Sequence, residues 1–395
     1  MKPSLRKYFV YALPWSMDFA NACFTFLCVV EAGRIGASPV SIGLLGTLCG
    51  TLYFLTCTFL AKRAHRKNAE LCMILSAIVF ILLSVALLFF HTLPALFLLL
   101  GLCGAFTALF FIGFQLWMGD SSYLPPLKAA GIYTFAWSSG LAFGMLAQGF
   151  LADRGMIASL LPVVGASLLT LIVLRWLSRL NRRDAAQGII PDLDSGFTVS
   201  AIRRVAFVRI GWISIFVVTF LSMGLRFLLP GLVINHLHLP AYVAGLAVFS
   251  LLFTQGVTGL VLMERADSWY TLRLHGSTKI FAAIACVIAF FLHGVIGILL
   301  FTFCLGIYSG HAYYAAVLYA IEDKEHAGMN VGVNEALVGA GTIIGPLAFG
   351  VARQGGTVAF FFLPVFFLFA AFFIQIRLFF LLRRRELSAL VNRGD

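Results

Sequence analysis

The chain has 395 residues, of which 61% are hydrophobic and 11% are charged, and its formal net charge at pH 7 is +12. Its mean hydropathy is +0.99, far outside the usage of soluble proteins, which excludes an ordinary water-soluble chain of two or three domains. Most of the chain must therefore face lipid or other buried helices.

Near-continuous apolar windows of about 20 residues recur from one end of the sequence to the other, and a helix of about 20 residues crosses roughly 30 Å of hydrocarbon. The short alternating segments typical of membrane barrel strands do not occur. We predict an all-α integral membrane protein with twelve transmembrane helices. Spans 1 to 12 are expected at residues 8–30, 40–61, 69–90, 94–118, 129–151, 156–177, 204–233, 241–263, 277–293, 295–320, 328–351 and 357–381.

The sequence repeats itself at a spacing of 201 residues. Pro39 and Pro240, which each precede a span, keep that spacing. Since equivalent spans run in the same direction, we predict a parallel repeat of six spans per half. The expected domains are an N-terminal six-helix bundle at 1–178, a cytoplasmic linker at 179–203, and a C-terminal six-helix bundle with a short basic tail at 204–395. The repeated glycines are Gly131, Gly140, Gly144, Gly149 and Gly155 in the first half, and Gly332, Gly341, Gly345, Gly350 and Gly356 in the second.

The basic residues are distributed by loop rather than along one face. When the N-terminus is placed in the cytoplasm, 24 of the 28 lysine and arginine residues fall on the cytoplasmic side. The positive-inside rule then puts both termini in the cytoplasm. We expect a multi-pass protein of an inner or plasma membrane, in contact with the lipid bilayer and with no nucleic acid.

The loop between spans 2 and 3 carries a recognisable motif. Residues 58–67 read T-F-L-A-K-R-A-H-R-K, where the major facilitator superfamily commonly has G-x-L-A-D-R-x-G-R-R, so Lys62 replaces the aspartate of the motif. The second half keeps an acid and an arginine there, Glu264 and Arg265. The chain resembles that superfamily over essentially its whole length, and residues 341–350 look like its glycine-proline packing segment. The resemblance implies the fold of that family, two parallel six-helix bundles.

The resemblance also implies a cytoplasmic latch. In the family, charged residues of these loops hold one conformation closed. Alternatively the charges are solvated and only fix the topology, since exposed ion pairs contribute roughly 0 to 1 kcal/mol. The expected latch residues are Arg63, Asp120, Glu264, Arg265 and Glu322.

Asp18 is the best candidate for a group that binds a proton or the solute. It lies about ten residues into span 1, roughly 15 Å along a helix, which is close to the membrane midplane. Charges inside a span cost several kcal/mol, so an embedded acid is expected to have a function. Asn21 lies one turn further on. Alternatively, Asp18 is structural and either caps a neighbouring helix or is permanently paired with an arginine.

Arg226 is embedded in span 7 and needs an anion, since it cannot easily lose its charge. That anion is Asp18, Glu31, or a carboxylate or phosphate of the solute; alternatively Arg226 snorkels to the outer surface. Glu335, about two turns into span 11, is either a second protonatable group or a residue that bonds the backbone or Asn334.

Further candidates follow from the resemblance, because helices 1, 4, 7 and 10 line the central cavity of the family. On span 10, Tyr308, His311 and Tyr314 recur at three-residue spacing, which predicts one shared face. His311 can titrate near neutral pH; alternatively it is a hydrogen-bonded packing residue. The candidate solute-binding and coupling residues are Asp18, Asn21, Gln115, Arg226, Tyr308, His311, Tyr314 and Glu335.

The sequence favours a secondary active transporter that moves a small organic solute by alternating access, with protons as the coupling ion, and acts as a monomer. The sequence contains no G-x-S-x-G, H-E-x-x-H or P-loop motif, so we expect no enzymatic activity and no cofactor. The eight cysteines have no C-x-x-C spacing, and we expect packing residues rather than bridges or metal ligands. The alternative function is a transporter-like sensor or partner subunit that binds a ligand without transporting it. The embedded acid favours a cationic or proton-linked solute, whereas Arg226 and His311 favour an organic anion.

Overall fold

The computed structural model describes residues 8–61, 66–121, 124, 126–186, 201–263, 271–292, 294–322 and 327–392. Twelve helices in these ranges are long and apolar enough to cross a membrane, and no β-strand occurs within them. A π-helical turn, Leu232–His236, continues the seventh helix. The helices are α1 (Ala12–Arg34), α2 (Pro39–Ala61), α3 (Ala69–Leu87), α4 (Leu93–Ser121), α5 (Pro126–Leu151), α6 (Met156–Ala186), α7 (Ala201–Gly231), α8 (Ala241–Met263), α9 (Leu272–Phe291), α10 (Val295–Glu322), α11 (Ala327–Gln354) and α12 (Thr357–Asn392).

Prolines and glycines mark equivalent helix ends in the two halves. Helix α2 begins at Pro39 and α8 begins directly after Pro240; proline suits a helix start because the N–H it lacks would have no helical partner there. Gly155 and Gly356, 201 residues apart, have φ values of 95° and 117°, a left-handed conformation that strains other residues. Each directly precedes the last helix of its half, so the same turn is used twice.

Two of the repeated glycines hold the first helix of each half against the fifth. A Cβ on Gly144 would overlap the carbonyl oxygen of Phe19, and a Cβ on Gly345 would overlap the carbonyl oxygen of Phe220. Both members of the second contact lie 201 residues after those of the first. Since small residues allow close helix approach in lipid, the sequence repeat is preserved as a repeated packing contact.

The two halves meet along two seams, α5 against α8 and α2 against α11. We call the end of the bundle where α1 begins and α12 ends the basic end, and the other the opposite end. At the opposite end Gly149 lies against Gly245, and Gly350 lies against the backbone of Pro39. Close backbone contact therefore closes both seams at the opposite end.

The predicted fold class, an all-helical membrane protein with twelve spans, is confirmed. Span 9 was predicted at 277–293, whereas α9 is Leu272–Phe291. Arg273, His275 and Lys279 lower the hydropathy of its first turns, although His275 and Lys279 are buried. All eight cysteines are free thiols, as expected.

Candidate functional site

A series of hydrogen-bonded polar side chains on α1 forms the part of the candidate site that belongs to the N-terminal half. Asn21 donates from Nδ2 to Asp18 Oδ1 at 3.2 Å, and its own Oδ1 accepts from the Thr25 hydroxyl at 3.3 Å and from the Cys103 thiol of α4 at 3.4 Å. Asp18 is 4% exposed. A carboxylate has about four acceptor positions, and one hydrogen bond reaches Asp18 from the described residues. Asp18 therefore retains capacity for a proton, a cation or a donor group of a ligand.

Arg226 on α7 is a buried cation in the C-terminal half. It is 7% exposed, so it does not snorkel to the surface. Its Nη1 donates to the sulfur of Met223 at 3.4 Å, and its Nε is buried without a hydrogen-bond partner in the described part of the chain. Glu31, one of its expected partners, is bonded to Arg34 at 2.5 Å instead. Arg226 thus keeps unused donors in the interior.

Asp18 and Arg226 come from different halves and interact electrostatically. They form no direct ion pair, because both ion pairs that occur among the described residues belong to Arg34. The charge of Arg226 also acts on Cys49 of α2 and Tyr313 of α10, which places it between helices of both halves. A molecule bound between the halves would meet an acid on one side and a cation on the other.

Beside Asp18 and Arg226, a chain of hydrogen bonds connects the halves, and its residues are not among the predicted site residues. Gln255 of α8 donates from Nε2 to the Ser138 hydroxyl of α5 at 2.7 Å, and Ser138 donates to a backbone carbonyl of α8 at 2.8 Å. Ser309 of α10 donates to Gln255 Oε1 at 2.5 Å and lies 3.4 Å from the Ser222 hydroxyl of α7. In the sequence, Gln255 is an amide inside an apolar run, which is a weaker signal than an embedded charge.

The matching positions in the other seam are apolar. Phe54 and Gly339 stand 201 residues from Gln255 and Ser138, and the Phe54 ring packs directly on Gly339. The α5–α8 seam therefore carries polar contacts where the α2–α11 seam carries a ring on a glycine.

Aromatic residues also cross between the halves. The rings of Trp137 on α5 and Tyr313 on α10 are 5.5 Å apart in an edge-to-face arrangement. The Tyr313 hydroxyl lies 3.2 Å from that of Thr219 on α7. Tyr313 thus faces the space between the halves. It directly precedes Tyr314, which was predicted as a solute contact.

Gln115 and Glu335 lie nearer the basic end, and both side chains are exposed. Gln115 and Glu335 both interact with Tyr133 of α5, and Glu335 also interacts electrostatically with Tyr53 of α2. The exposed polar residues lie on the basic-end side of the buried Asp18 and Arg226.

The opposite end is packed more tightly. Arg34 donates to the Ala152 carbonyl at 2.8 Å, and Gly33 contacts the Asn235 side chain from the other half. A cavity of about 50 Å³ lies here, lined by Arg34, Asn235 and Pro230 among others. The space between the halves is nearly closed at this end.

The predicted stripe on α10 is not brought together with Asp18. Tyr308 lies against α9, with the Lys279 amine 5.3 Å from its ring centre, and the His311 ring lies 4.4 Å from the His275 ring. The role of Tyr308 and His311 as solute contacts stays a prediction.

Tyr314, the third residue of the stripe, is 1% exposed and belongs to an apolar cluster with Phe207 and Leu318. Its predicted solute contact likewise stays a prediction. The side chains of the five predicted latch residues, Arg63, Asp120, Glu264, Arg265 and Glu322, lie outside the described part of the chain.

Comparisons with known proteins agree with this architecture. The family model described as Major Facilitator Superfamily matches residues 7–323. No curated protein sequence matches the chain.

Two solved structures of a bacterial homolog of the human lysosomal transporter Spinster are similar in fold. The inward-facing, occupied structure is 16% identical, with a TM-score of 0.63, and the match covers 95% of this chain and 96% of that one. The inward-facing, unoccupied structure is 17% identical, with a TM-score of 0.65, and the match covers 97% and 99%.

Proposed function

We propose that this chain, which belongs to the Major Facilitator Superfamily and is a multi-pass membrane transporter, moves a small organic solute. The solute bears an acidic group. In this proposal the transporter is secondary active, works by alternating access and is driven by protons. The solute lies between the halves, where Arg226 binds its carboxylate or phosphate.

The observation that carries the proposal is the buried Arg226. It has an Nε without a partner and no ion pair within the described residues. A permanently charged guanidinium in the membrane interior is costly unless an anion meets it, and its fork geometry suits carboxylate and phosphate. An acidic solute would supply that anion.

Asp18 is proposed as the group that carries the coupling proton. It is buried opposite Arg226 and holds one hydrogen bond from the described residues. A proton moving down about 100 mV supplies about 2.3 kcal/mol. Protonation of Asp18 would also remove a negative charge that competes with the solute for Arg226.

We further propose that the basic end faces the cytoplasm and that the conformation described here opens to it. The excess of lysine and arginine supports the orientation. The tight glycine contacts at the opposite end and the exposed Gln115 and Glu335 support the direction of opening.

Thermal stabilisation by a panel of ligands tests the proposal. Purified wild-type protein is heated with organic carboxylates, phosphate esters and organic amines of matched size. We expect an acidic ligand to raise the Tm of wild type and of the exposed control Arg154→Lys, and to leave the Tm of Arg226→Gln unchanged. Stabilisation by amines alone, or an equal response of Arg226→Gln, contradicts it. Uptake of the stabilising ligand into proteoliposomes then tests transport.

A further inference from the structure

Lys279 is a buried lysine close to the middle of α9. Its residue is 1% exposed. Its amine lies 5.3 Å from the ring centre of Tyr308, which stands next to the midpoint of the apolar span Val295–Tyr319 of α10. The amine therefore lies at the depth of the membrane interior.

Every described partner of this amine is uncharged. Its Nζ donates to the His275 carbonyl at 3.0 Å and approaches the Tyr308 ring. Both ion pairs among the described residues belong to Arg34, so no described carboxylate holds Lys279. An ammonium at this depth without a counter-ion is strongly disfavoured relative to a neutral amine.

Further titratable groups surround Lys279. His275 Nε2 lies 2.9 Å from the Tyr319 hydroxyl, and His311 Nδ1 lies 3.5 Å from the Thr278 hydroxyl. The Nδ1 atom of His275 is buried and has no hydrogen-bond partner in the part of the chain that the structure describes. His275 is in the first turn of α9, so the group extends from near the basic end to Lys279.

Helix α9 packs against α10 and α12, and no described acid faces Lys279 from either. The Tyr308 ring faces Lys279 from α10, and His311 and Tyr319 of the same helix contact the nearby His275. Among the described side chains, the other cations on α9, α10 and α12 are exposed: Arg273, Arg377 and Arg384. On α7, Arg209 is exposed and the buried Arg226 belongs to the central site.

We propose that Lys279, supported by His275 and His311, is a second proton-binding site of the transporter, located in the C-terminal half behind the solute site. In the packing described here the amine is uncharged. When α9 and α10 move apart, one proton passes from water at the basic end to the Nζ lone pair, and the reverse step returns it to water. The role in a transport cycle rests on the proposed function; the protonation itself does not.

Solid-state NMR of the protein in lipid bilayers, labelled with 13Cε,15Nζ-lysine, tests the protonation directly. The sequence has seven lysines, so the spectrum is simple, and Lys279→Met assigns the signal. The exposed Lys128→Met is the matched control. We expect one neutral-amine signal at about pH 7, absent in Lys279→Met, that moves to the ammonium position by about pH 5, as for other buried lysines, while the other six are ammonium throughout.

An ammonium signal for Lys279 at about pH 7 overturns the proposal, and so does a neutral amine that never takes up a proton. An ammonium whose shift follows the chloride concentration would show an anion site, which also overturns it. Thermal unfolding checks the fold of each variant; Lys279→Met, similar in size and uncharged, is expected to match or exceed wild type.

Transport measurements connect the site to the cycle. In proteoliposomes we expect Lys279→Met to keep solute exchange but to take up fewer protons per solute than wild type and Lys128→Met. Lys279→Arg, which cannot lose its charge, should slow exchange by at least about tenfold. An unchanged proton-to-solute ratio in Lys279→Met overturns the coupling role. If wild type moves no solute, the proposed function fails, while the NMR result still decides the proton site.

Discussion

Gln255 of the C-terminal half donates a hydrogen bond of 2.7 Å to Ser138 of the N-terminal half. The same two positions in the other seam are Phe54 and Gly339, where a ring packs on a glycine. Any rocking of the halves that separates α5 from α8 at the depth of Gln255 must break its hydrogen bond to Ser138. The contact is therefore a place where a substitution changes the balance between conformations.

Gln255→Leu is expected to lower the population of the conformation described here. Hydrogen bonds between membrane helices contribute about 0.6 kcal/mol on average and up to about 1.7, which corresponds to about 3-fold to about 20-fold in population. Spin labels carried by unnatural amino acids at Arg154 and His238, exposed at the opposite end on different halves, report the distance between the halves. Ser277→Ala, which removes an exposed hydroxyl on α9, is the control. An unchanged distance distribution in Gln255→Leu argues against the role of the bond.

The repeated glycines predict matched losses of stability. Gly144→Ala and Gly345→Ala each place a methyl group against a carbonyl oxygen of the neighbouring helix. Overpacking costs about 1 to 3 kcal/mol, so the Tm of both variants should fall by similar amounts. Gly165→Ala, whose Cβ would meet open space, should not lower the Tm. A lower Tm in only one of the two variants would show that the two contacts are not equivalent.

Asp18→Asn should separate solute exchange from proton-driven accumulation. The amide keeps the size of the side chain but cannot take up the coupling proton, so exchange between equal solute pools should persist while uptake driven by a pH gradient is reduced. Both are measured in proteoliposomes, with the exposed Asp153→Asn as control. Full gradient-driven accumulation by Asp18→Asn would exclude Asp18 as the coupling group.

Arg34 has two acidic neighbours that should differ in importance. The Glu31 side chain is 11% exposed and lies 2.5 Å from Arg34, whereas the Asp153 side chain is 72% exposed and lies 3.5 Å away. Glu31→Gln should therefore destabilise the protein by about 1 to 3 kcal/mol, and Asp153→Asn by less than about 1 kcal/mol. Denaturation in detergent measures both, and the reverse order would contradict this ranking.

The sequence predicted the fold class well because lipid imposes long apolar runs, and the repeated glycines and prolines indicated a duplicated unit. It also located Asp18 and Arg226, since an embedded charge is conspicuous. It did not reveal Gln255, Ser309 or Lys279. Neutral polar residues are common inside spans, and only the packing shows that Gln255 bridges the halves.

Lys279 was missed for a different reason. It stands near the predicted start of span 9, where a lysine is expected to reach the membrane surface. The helix begins five residues earlier than predicted, at Leu272, so Lys279 lies deeper than the sequence indicated.

The unlike seams have a consequence for water. When the α5–α8 seam opens, Gln255 and Ser138 can exchange their hydrogen bond for bonds to water, so hydration offsets much of the loss. When Phe54 leaves Gly339, apolar surface is exposed, and water offers no replacement. We therefore expect the first water to enter between α5 and α8, and the α2–α11 seam to stay dry for longer.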